Sequence, residues 1–412
     1  MSLINHEELK KQIANGTFTG LDDITNEFKN ILKEVIQTAS QEELTSHLGY
    51  DKHQESTNSN YRNGYNEKTI KSKYGNIDVE IPRDRESTFE PQLVKKREIL
   101  LNGSEDLIIS LYTKGMSVRD IQLHLDDLYG YELSTQTISN ITEKVIEKAK
   151  EWQIRPLDKI YPIIFMDATV LKIRVDRVVK NIAAYIMLGV TLEGKKEIIG
   201  IWIGENETSK YWLTVLNDIQ KRGVKDVLIF AIDVLIFAID GLNGFAEAIS
   251  AVYPKAEIQR CIVHQIRSSL KFVSWKDRKS VAKDLKSVYT AYTEEDGQLA
   301  LTEFNDIWGK KYPNITVSWT NHWAELSTFF KYPDSVRKLI YTTNPIESLN
   351  ATIKRKTKSK GSFPTEDSAF KVMYLATQEQ QNKWNTSSIR NWFEIYPQLS
   401  IFFKEIMAKY EK

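Results

Sequence analysis

The sequence predicts an α/β fold: a mixed β-sheet covered by helices and interrupted by an all-α insertion, after a mainly helical N-terminal region with a small β-hairpin. Three observations support this. Apolar residues keep a helical spacing over most of the first 149 residues, strand-like apolar runs begin after residue 158, and three consecutive strands then precede alternating helices and strands. A chain of 412 residues suits two to four structural units. We divide it at 1–50, 51–100, 101–151, 158–277, 278–338 and 339–412.

The first hundred residues combine helices with a short β element. Apolar residues between positions 7 and 48 recur at helical spacing, which predicts two or three helices. The polar stretch 51–66 has few apolar anchors and predicts an extended or loosely ordered arm. Two alternating segments, 69–73 and 77–81, flank a Tyr-Gly-Asn turn and predict a small hairpin that supports the arm.

Residues 101–151 predict three short helices. The first covers 107–114, the second covers 118–128 behind Ser117 as N-cap, and the third follows Ser134. Polar residues lie near the exposed start of the third helix: Thr135, Gln136 and Ser139. Such a trio matches a helix-turn-helix, whose last helix inserts its start into the DNA major groove. A plain helical bundle fits equally well, because helix trios are common.

The region after residue 158 supplies the sheet. Strands are predicted at 163–167, 182–190, 197–203, 227–239 and 257–259, with helices at 209–221, at 244–252 and from about residue 260. Ribonuclease H-like enzymes have this order of elements. Residues 278–338 then predict an all-α insertion, and 369–410 predict C-terminal helices with three aromatic packing anchors: Trp384, Trp392 and Phe393.

Two aspartates follow apolar strands. Asp167 comes directly after Ile163–Met166, so we expect it at the end of the first strand, where a carboxylate is costly to bury unless it is paired or metal-bound. Asp240 follows the fourth strand and precedes Gly241. Taken alone, Asp167 is equally compatible with a strand-end cap, and Asp-Gly is a common turn pair.

Glu347 occupies the first turn of a predicted helix. Asn344, Pro345 and Glu347 form a capping-box pattern, which explains the glutamate without any function. The same helix places Glu347, Asn350 and Lys354 on one face, apart from an apolar stripe. Phosphodiester chemistry commonly uses two divalent ions held by acidic side chains, and three converging carboxylates suffice for this.

The chain resembles the bacterial Mutator-type insertion-sequence transposases, members of the DDE group, over nearly its full length. The resemblance rests on these segments: IPRDR at 81–85, YTKGMSVRDIQ at 112–122, Asp167-Ala168, DGLNGF at 240–245, RCIVH at 260–264, TTNPIESLN at 342–350 and GSFP at 361–364. It implies a DNA transposase that cleaves and joins strands at element ends, with Asp167, Asp240 and Glu347 as a catalytic triad for Mg²⁺, replaceable by Mn²⁺. It further implies double-stranded DNA partners, namely terminal inverted repeats and target DNA, and a homo-oligomer on paired ends.

Basic residues near the triad predict DNA contacts. Lys354 and Arg355 begin the densest basic cluster of the chain. On a helix, Arg260, His264 and Arg267 would share one face and could contact phosphates, although a solvated surface stripe explains them too. Cys261 and His264 form the Cys-x-x-His of this group; two ligands are too few for zinc, so we predict no zinc site.

A tandem repeat interrupts the pattern. Residues 226–232 and 233–239 both read DVLIFAI. Fourteen residues exceed an ordinary strand, so one copy should pair while the other is accommodated elsewhere. We expect the second copy to pair, because Gly241 and the following helix then keep their places beside Asp240; if the first copy pairs, Asp233 takes the strand-end position. The repeat also favours an alternative function, a catalytically inactive DNA-binding relative.

Composition bounds the remaining possibilities. Charges nearly balance at 56 basic and 55 acidic residues, so a DNA surface must come from local clusters. No apolar run approaches the length of a membrane span, no secretory signal is evident, and the single cysteine suits a reducing compartment. We therefore expect a cytoplasmic protein without membrane partners, and the resemblance implies a bacterial, nucleoid-associated one. An unrelated ribonuclease H-like nuclease or resolvase remains a third interpretation.

Overall fold

The computed structural model describes residues 10–11, 13–16, 19–52, 54, 59–72, 75–95, 104–129, 133–204, 209–233, 243–341, 344–358, 360–385 and 387–410. The chain divides into two compact units, residues 1–144 and 145–412. In the described residues, no helix is both long enough and apolar enough to cross a membrane.

The N-terminal unit contains one long helix and a hairpin. Helix α1 (Leu21–Leu48) is continuous, because the segment has no glycine or proline to break it. Residues 10–11 and 13–14 are also helical, which agrees with the expectation of two or three helices between positions 7 and 48. Strands β1 (Arg62–Ser72) and β2 (Gly75–Asp84) form the hairpin. It is longer than predicted, and β1 takes up the end of the expected arm. The hairpin core packs against the middle of α1.

Three helices follow, close to their predicted bounds: α2 (Ser104–Thr113), α3 (Val118–Tyr129) and α4 (Thr135–Ile154). Ser117 and Asp120 cap α3 reciprocally, because the Ser117 Oγ accepts from the Asp120 N–H and the Asp120 carboxylate accepts from the Ser117 N–H. The apolar side chains on one face of α4 are buried: Ile138, Ile141 and Val145.

The C-terminal unit is built on a five-stranded mixed sheet with the order β5-β4-β3-β6-β7. The strands are β3 (Ile160–Val175), β4 (Val178–Val190), β5 (Lys196–Gly204), β6 (Asp226–Asp233) and β7 (Glu257–Arg260). β4 is antiparallel to both β3 and β5, whereas β6 is parallel to both β3 and β7. Helices α5 (Ser209–Lys221) and α6 (Asn243–Val252) pack on the sheet through a fully buried core that includes Trp212, Leu216 and Ile249.

β3 continues well beyond Asp167, which corrects the expectation that this residue ends the strand. Residues 168–175 remain paired with β4, and their β-branched side chains suit a strand. On its other edge, β3 pairs with β6 only as far as Asp167. Asp167 therefore marks the end of one strand pairing inside a longer strand.

The rest of the chain is helical. Helix α7 covers Ile262–Lys271. The predicted helical character of 278–338 is confirmed by the elements that follow: α8 (Arg278–Tyr289), α9 (Glu294–Trp308), α10 (Pro313–Asn321), α11 (Trp323–Leu326), a 3₁₀ turn (Thr328–Lys331) and α12 (Asp334–Ile340). The last helices are α13 (Asn344–Lys358), α14 (Glu366–Trp384), α15 (Trp392–Phe402) and α16 (Lys404–Met407). Trp384 and Trp392 are buried as expected, but Phe393 is 77% exposed and is not a packing anchor.

Candidate active site

Asp167 lies in the interior of the sheet unit with only 6% of its surface exposed. Its Oδ2 accepts a short hydrogen bond from the Asn350 Nδ2, and its Oδ1 lies 2.6 Å from the backbone nitrogen of Ala168. A carboxylate so far from water must be compensated by donors or a cation. The hydrogen bond from Asn350 connects α13 to β3, although the two residues are 183 positions apart in the sequence.

Helix α13 contacts this strand through Asn350. Ile346, Leu349 and Ile353 are fully buried, which confirms the predicted apolar stripe and fixes the rotation of the helix. Asn350 is 3% exposed, and its Oδ1 is buried with no hydrogen-bond partner among the described residues. Glu347 precedes Asn350 by three residues, so the two lie on adjacent turns of one face, with an axial separation of about 4.5 Å. Glu347 therefore lies about one helical turn from the residue that contacts Asp167.

The Glu347 carboxylate faces basic groups from α7. Its Oε1 lies 2.6 Å from the Arg267 Nη1 and 3.5 Å from the His264 Nε2. The Glu347 side chain is 29% exposed and that of Arg267 is 57% exposed, so this pair borders solvent. Arg267 and His264 also contact each other at 3.0 Å. The two basic side chains hold the glutamate in one orientation.

The Cys-x-x-His pair belongs to the same arrangement. Cys261 is buried at the N-terminus of α7, and its Sγ lies 3.3 Å from the His264 Nδ1. His264 therefore has one ring nitrogen toward the cysteine and the other toward Glu347. Among the described residues, no group of three His, Cys, Asp or Glu side chains has metal-binding geometry. The motif connects α7 to the glutamate.

Arg260 does not share the basic face of α7, which corrects the sequence expectation. It ends β7, before the helix begins, and is only 6% exposed. Its Nη2 lies 2.6 Å from the Glu325 Oε2, and its Nε donates to the same oxygen at 2.9 Å. Because two of its nitrogens donate to one carboxylate oxygen in a largely buried ion pair, little of this guanidinium is left for DNA. Its observed contact is with α11.

The repeat is placed differently from our expectation. The first copy, 226–232, forms β6 and pairs with β3, so the expectation that the second copy pairs is wrong. In the parallel register, Asp167 is the partner of Asp233. Asp240 lies outside the described residues.

A basic groove of about 560 Å³ adjoins Asp167 on the side of β3 that β6 leaves unpaired. Its floor is β3 residues 169–172, and its walls include Lys354, Lys358 and Gly361. The far end is closed where Phe363 hydrogen-bonds to the β3 backbone: the Phe363 N–H donates to the Lys172 oxygen at 2.8 Å, and the Arg174 N–H donates to the Phe363 oxygen at 2.9 Å. The motif at 361–364 therefore shapes a groove that sequence analysis did not anticipate.

The positive charge around this groove is dense. Lys354 and Arg355 are exposed on α13, as expected for residues that contact a ligand. Burial, and then the nearby charge of Lys371, lower the pKa of Lys360 to about 8. Since the lysines repel one another, a polyanion would relieve this repulsion.

The predicted DNA-reading residues of the N-terminal unit lie where the sequence suggested. Thr135 and Gln136 are exposed at the start of α4, and Ser139 is half-buried. Gln136 donates to the Asn140 side chain at 2.8 Å. The helix start therefore presents polar side chains, which is compatible with major-groove reading and equally with an ordinary solvated helix end.

The donor atoms near Asp167 suit a hard divalent cation. Asp167 and Glu347 supply carboxylate oxygens, the ligand type that Mg²⁺ prefers. The Asn350 Oδ1, buried without a hydrogen-bond partner in the described part of the chain, adds an oxygen whose burial is otherwise unfavourable. Arg267 neutralises Glu347 at the solvent border, as expected where negative charge is concentrated. The chemistry of these oxygens therefore fits such an ion.

Comparison with known proteins gives one consistent result. A sequence model described as "Transposase, Mutator family" matches residues 3–387. The chain is 42% identical over 387 residues to a probable transposase for an ISRM3-like insertion sequence element of Sinorhizobium fredii, with 94% of each chain covered. It is 34% identical over 357 residues to the transposase for insertion sequence element IS905 of Lactococcus lactis subsp. lactis, covering 86% of this chain and 88% of the relative.

Proposed function

Because the chain belongs to the Mutator family of transposases, we propose that it moves an insertion sequence by metal-dependent cleavage of DNA at the element's ends and transfer of the freed strand to target DNA. Its relatives are named as insertion-sequence transposases, and the similarity extends over nearly their full length. One observation carries the catalytic part of this proposal: Asn350, one helical turn beyond Glu347, donates a hydrogen bond to the buried Asp167 next to a groove lined by lysines.

The catalytic unit has a ribonuclease H-like fold under this proposal. Three antiparallel strands in the order β5-β4-β3, extended by parallel β6 and β7, support this assignment. In this sheet, β6 ends beside the middle of β3, where the pairing between the two strands stops. Asp167 lies at this end.

Asp167, Glu347 and one aspartate of the repeated segment would hold the ions, and the resemblance to the family assigns that third position to Asp240. Mg²⁺ is the natural ion and Mn²⁺ a substitute. When bound, a pair of such ions supplies activation of the attacking oxygen and stabilisation of the leaving oxygen. The protein supplies the orientation of the carboxylates.

The surrounding side chains orient these carboxylates and bind DNA. Asn350 fixes the rotamer of Asp167, and Arg267 with His264 fixes Glu347. Lys354, Lys358 and Lys172 border the groove and bind phosphates next to the reacting bond, with Arg355 on the neighbouring turn. None of these side chains has to change its protonation state for this role.

DNA ends are recognised elsewhere in the chain under this proposal. The start of α4, with Thr135, Gln136 and Ser139, reads the terminal inverted repeats, and oligomerisation brings two ends together. The exposed polar side chains of this helix start support the first statement.

The test is Mg²⁺-dependent cleavage of a supercoiled plasmid that carries the element's two ends. We expect the unaltered chain to nick or cut at the ends and Glu347→Gln to bind them without cutting. The matched control is Glu394→Gln, an exposed glutamate on α15. Cleavage by Glu347→Gln at the normal rate would reject the catalytic assignment. Binding without cleavage by the unaltered chain would instead favour a noncatalytic DNA-binding protein, the function that the repeat at 226–239 suggests.

A further inference from the structure

We propose that Asp233, and not Asp240, is the repeated segment's acidic ligand, because the first copy of the repeat occupies the native strand and the second copy extends the connection that follows it. This inference rests on the proposed function, since it concerns the metal site of the same reaction. It changes which residue completes the site in this particular chain.

Strand propensity cannot choose between the copies, because residues 226–232 and 233–239 are identical and each copy is followed by an aspartate. Either copy would make the same buried contacts in the sheet, including those of Leu228 and Phe230. The choice therefore depends on which connection accommodates seven additional residues: the one before β6 or the one after it.

The connection before β6 is short and held firmly. Only residues 222–225 separate α5 from β6. The Arg222 oxygen accepts from the Leu157 N–H at 2.8 Å, and the Arg222 Nε donates to the Arg155 oxygen at 3.0 Å. Gly223 has a φ of +124°, and a Cβ there would lie 2.9 Å from the Leu157 oxygen. This turn permits neither another residue at Gly223 nor a shift of the backbone.

The same turn leads directly into the first copy. Val224 is fully buried, and the Lys225 and Asp226 N–H groups both donate to the Lys159 oxygen, at 2.8 and 3.1 Å. The Asp226 carboxylate accepts from the Tyr410 hydroxyl at 2.6 Å. Pairing the second copy would insert seven apolar-rich residues between this anchored turn and the strand, so that Val224 and Lys225 would no longer lead directly into it.

The connection after β6 accommodates the extra residues at lower cost. β6 ends at Asp233 and α6 begins at Asn243, so residues 234–242 form this connection by chain order. With a single copy, Asp233 would be followed directly by the Gly-Leu pair now at 241–242, so the repeat lengthens a two-residue connection to nine. The added loop-closure entropy is small, because this penalty grows slowly with loop length.

The register places Asp233 at the required position. Asp233 is the β3 register partner of Asp167, and the residue before it, Ile232, is 2% exposed and pairs with Met166. The Ile232 oxygen accepts from the Cys261 N–H at 2.9 Å, which joins the strand to the start of α7, the helix that carries His264 and Arg267. The end of β6 is therefore fixed to the helix that orients Glu347. Asp240 stands seven residues further along the chain.

The experiment measures Mn²⁺ binding by the full-length chain without DNA, by electron paramagnetic resonance with MnCl₂ as the probe. We expect Asp233→Asn to weaken binding at least about tenfold, as Asp167→Asn does, and Asp240→Asn to bind as the unaltered chain does. A chain that lacks residues 226–232 has one copy and one strand-end aspartate; it should bind Mn²⁺ normally. Cleavage of the end-bearing plasmid by the same variants provides the second readout.

The outcomes separate this inference from the proposed function. Normal Mn²⁺ binding by Asp167→Asn rejects the metal site itself. Weakened binding by Asp240→Asn, alone or with Asp233→Asn, overturns the assignment of Asp233 while leaving the metal site intact. Hydrogen exchange on the unaltered chain tests the placement independently of metal: protection of amides 227–232 is expected, and protection of 234–239 in their place overturns it. The same measurement on Asp233→Asn shows whether that variant keeps its strand.

Discussion

Asp84 and Asp167 are the only two carboxylate residues that are buried in the part of the chain that the structure describes, and they are held in different ways. Asp84 lies in the N-terminal unit and accepts hydrogen bonds from Asn60, Thr88 and Phe89, two of which follow it by four and five residues. Asp167 lies in the sheet unit and takes its side-chain donor from Asn350, 183 residues away on the helix of Glu347. Burial alone therefore does not identify a carboxylate as part of a site. What distinguishes Asp167 is that its side-chain donor comes from a residue distant in sequence.

The pKa of Asp84 reflects its structural role. Burial acts to raise it, but the hydrogen bonds from Asn60, Thr88 and the Phe89 N–H outweigh burial and hold the pKa of Asp84 well below 3.8. The carboxylate thus stays charged and closes the loop after the hairpin. Asp84 belongs to the IPRDR motif at 81–85, so at this position the motif is explained by folding.

The largest expected effect separates the two aspartates by activity. Asp167→Asn should reduce plasmid cleavage about 1,000-fold or more, because it removes the charge that holds the ions, and should leave the midpoint of thermal unfolding nearly unchanged. The matched control is Asp176→Asn in the turn between β3 and β4, where the residue is exposed and its φ of 50° suits asparagine. Unchanged cleavage by Asp167→Asn would make the two aspartates equivalent.

The second prediction is that Asp84 affects stability and not activity. Asp84→Asn should lower the free energy of unfolding of the N-terminal unit by about 2 to 4 kcal/mol, because an amide cannot accept from every donor that surrounds it. Cleavage per folded molecule should not change. Hydrogen exchange of the β1 and β2 amides in the full chain measures the loss, with the exposed Glu80→Gln on β2 as control. Equal exchange in the two variants would contradict a structural role.

The pH dependence of this stability follows from the lowered pKa. A carboxyl group with a lower pKa in the folded state stabilises the fold fully above its unfolded pKa, and this contribution is lost as the pH falls through the folded value. We therefore expect the stability difference between the unaltered chain and Asp84→Asn to be constant above about pH 5 and to shrink below pH 3.8. Urea unfolding at a series of pH values measures it, and a difference that grows toward acid pH would contradict the assignment.

We expect an effect of intermediate size for Asn350, which holds Asp167 in place through a hydrogen bond. Asn350→Ala removes the donor to Asp167 and should reduce cleavage about 10- to 100-fold while raising the Mg²⁺ concentration that cleavage requires. Thr352→Ala, a buried polar residue on the same helix that bonds to Gln380 instead, is the control. If both variants respond to Mg²⁺ alike, Asn350 only stabilises α13.

Local pattern predicted much of this fold. The bounds of α5 agree with the prediction because a strong apolar periodicity sets them, and Ser117 and the apolar stripe of α4 were equally readable. The sequence could place Asn350 on the face of Glu347, since helix geometry is local. It could not show that Asn350 reaches Asp167, because that contact depends on how α13 packs on β3. Nor could propensity rank two identical copies of a strand, or reveal that Arg260 pairs with Glu325.

The smallest expected effect tests the groove beside Asp167. Lys354→Gln should weaken binding to end-bearing DNA modestly and make the plot of log binding constant against log salt concentration shallower by about 0.9, as for the loss of one phosphate contact. Lys310→Gln, an exposed lysine just after α9, should leave the slope unchanged. The slope is more informative than the affinity, because it counts phosphates directly. If Lys354→Gln keeps the full slope, this lysine is part of a solvated face, and Asp167 alone would distinguish this edge of the sheet from an ordinary surface.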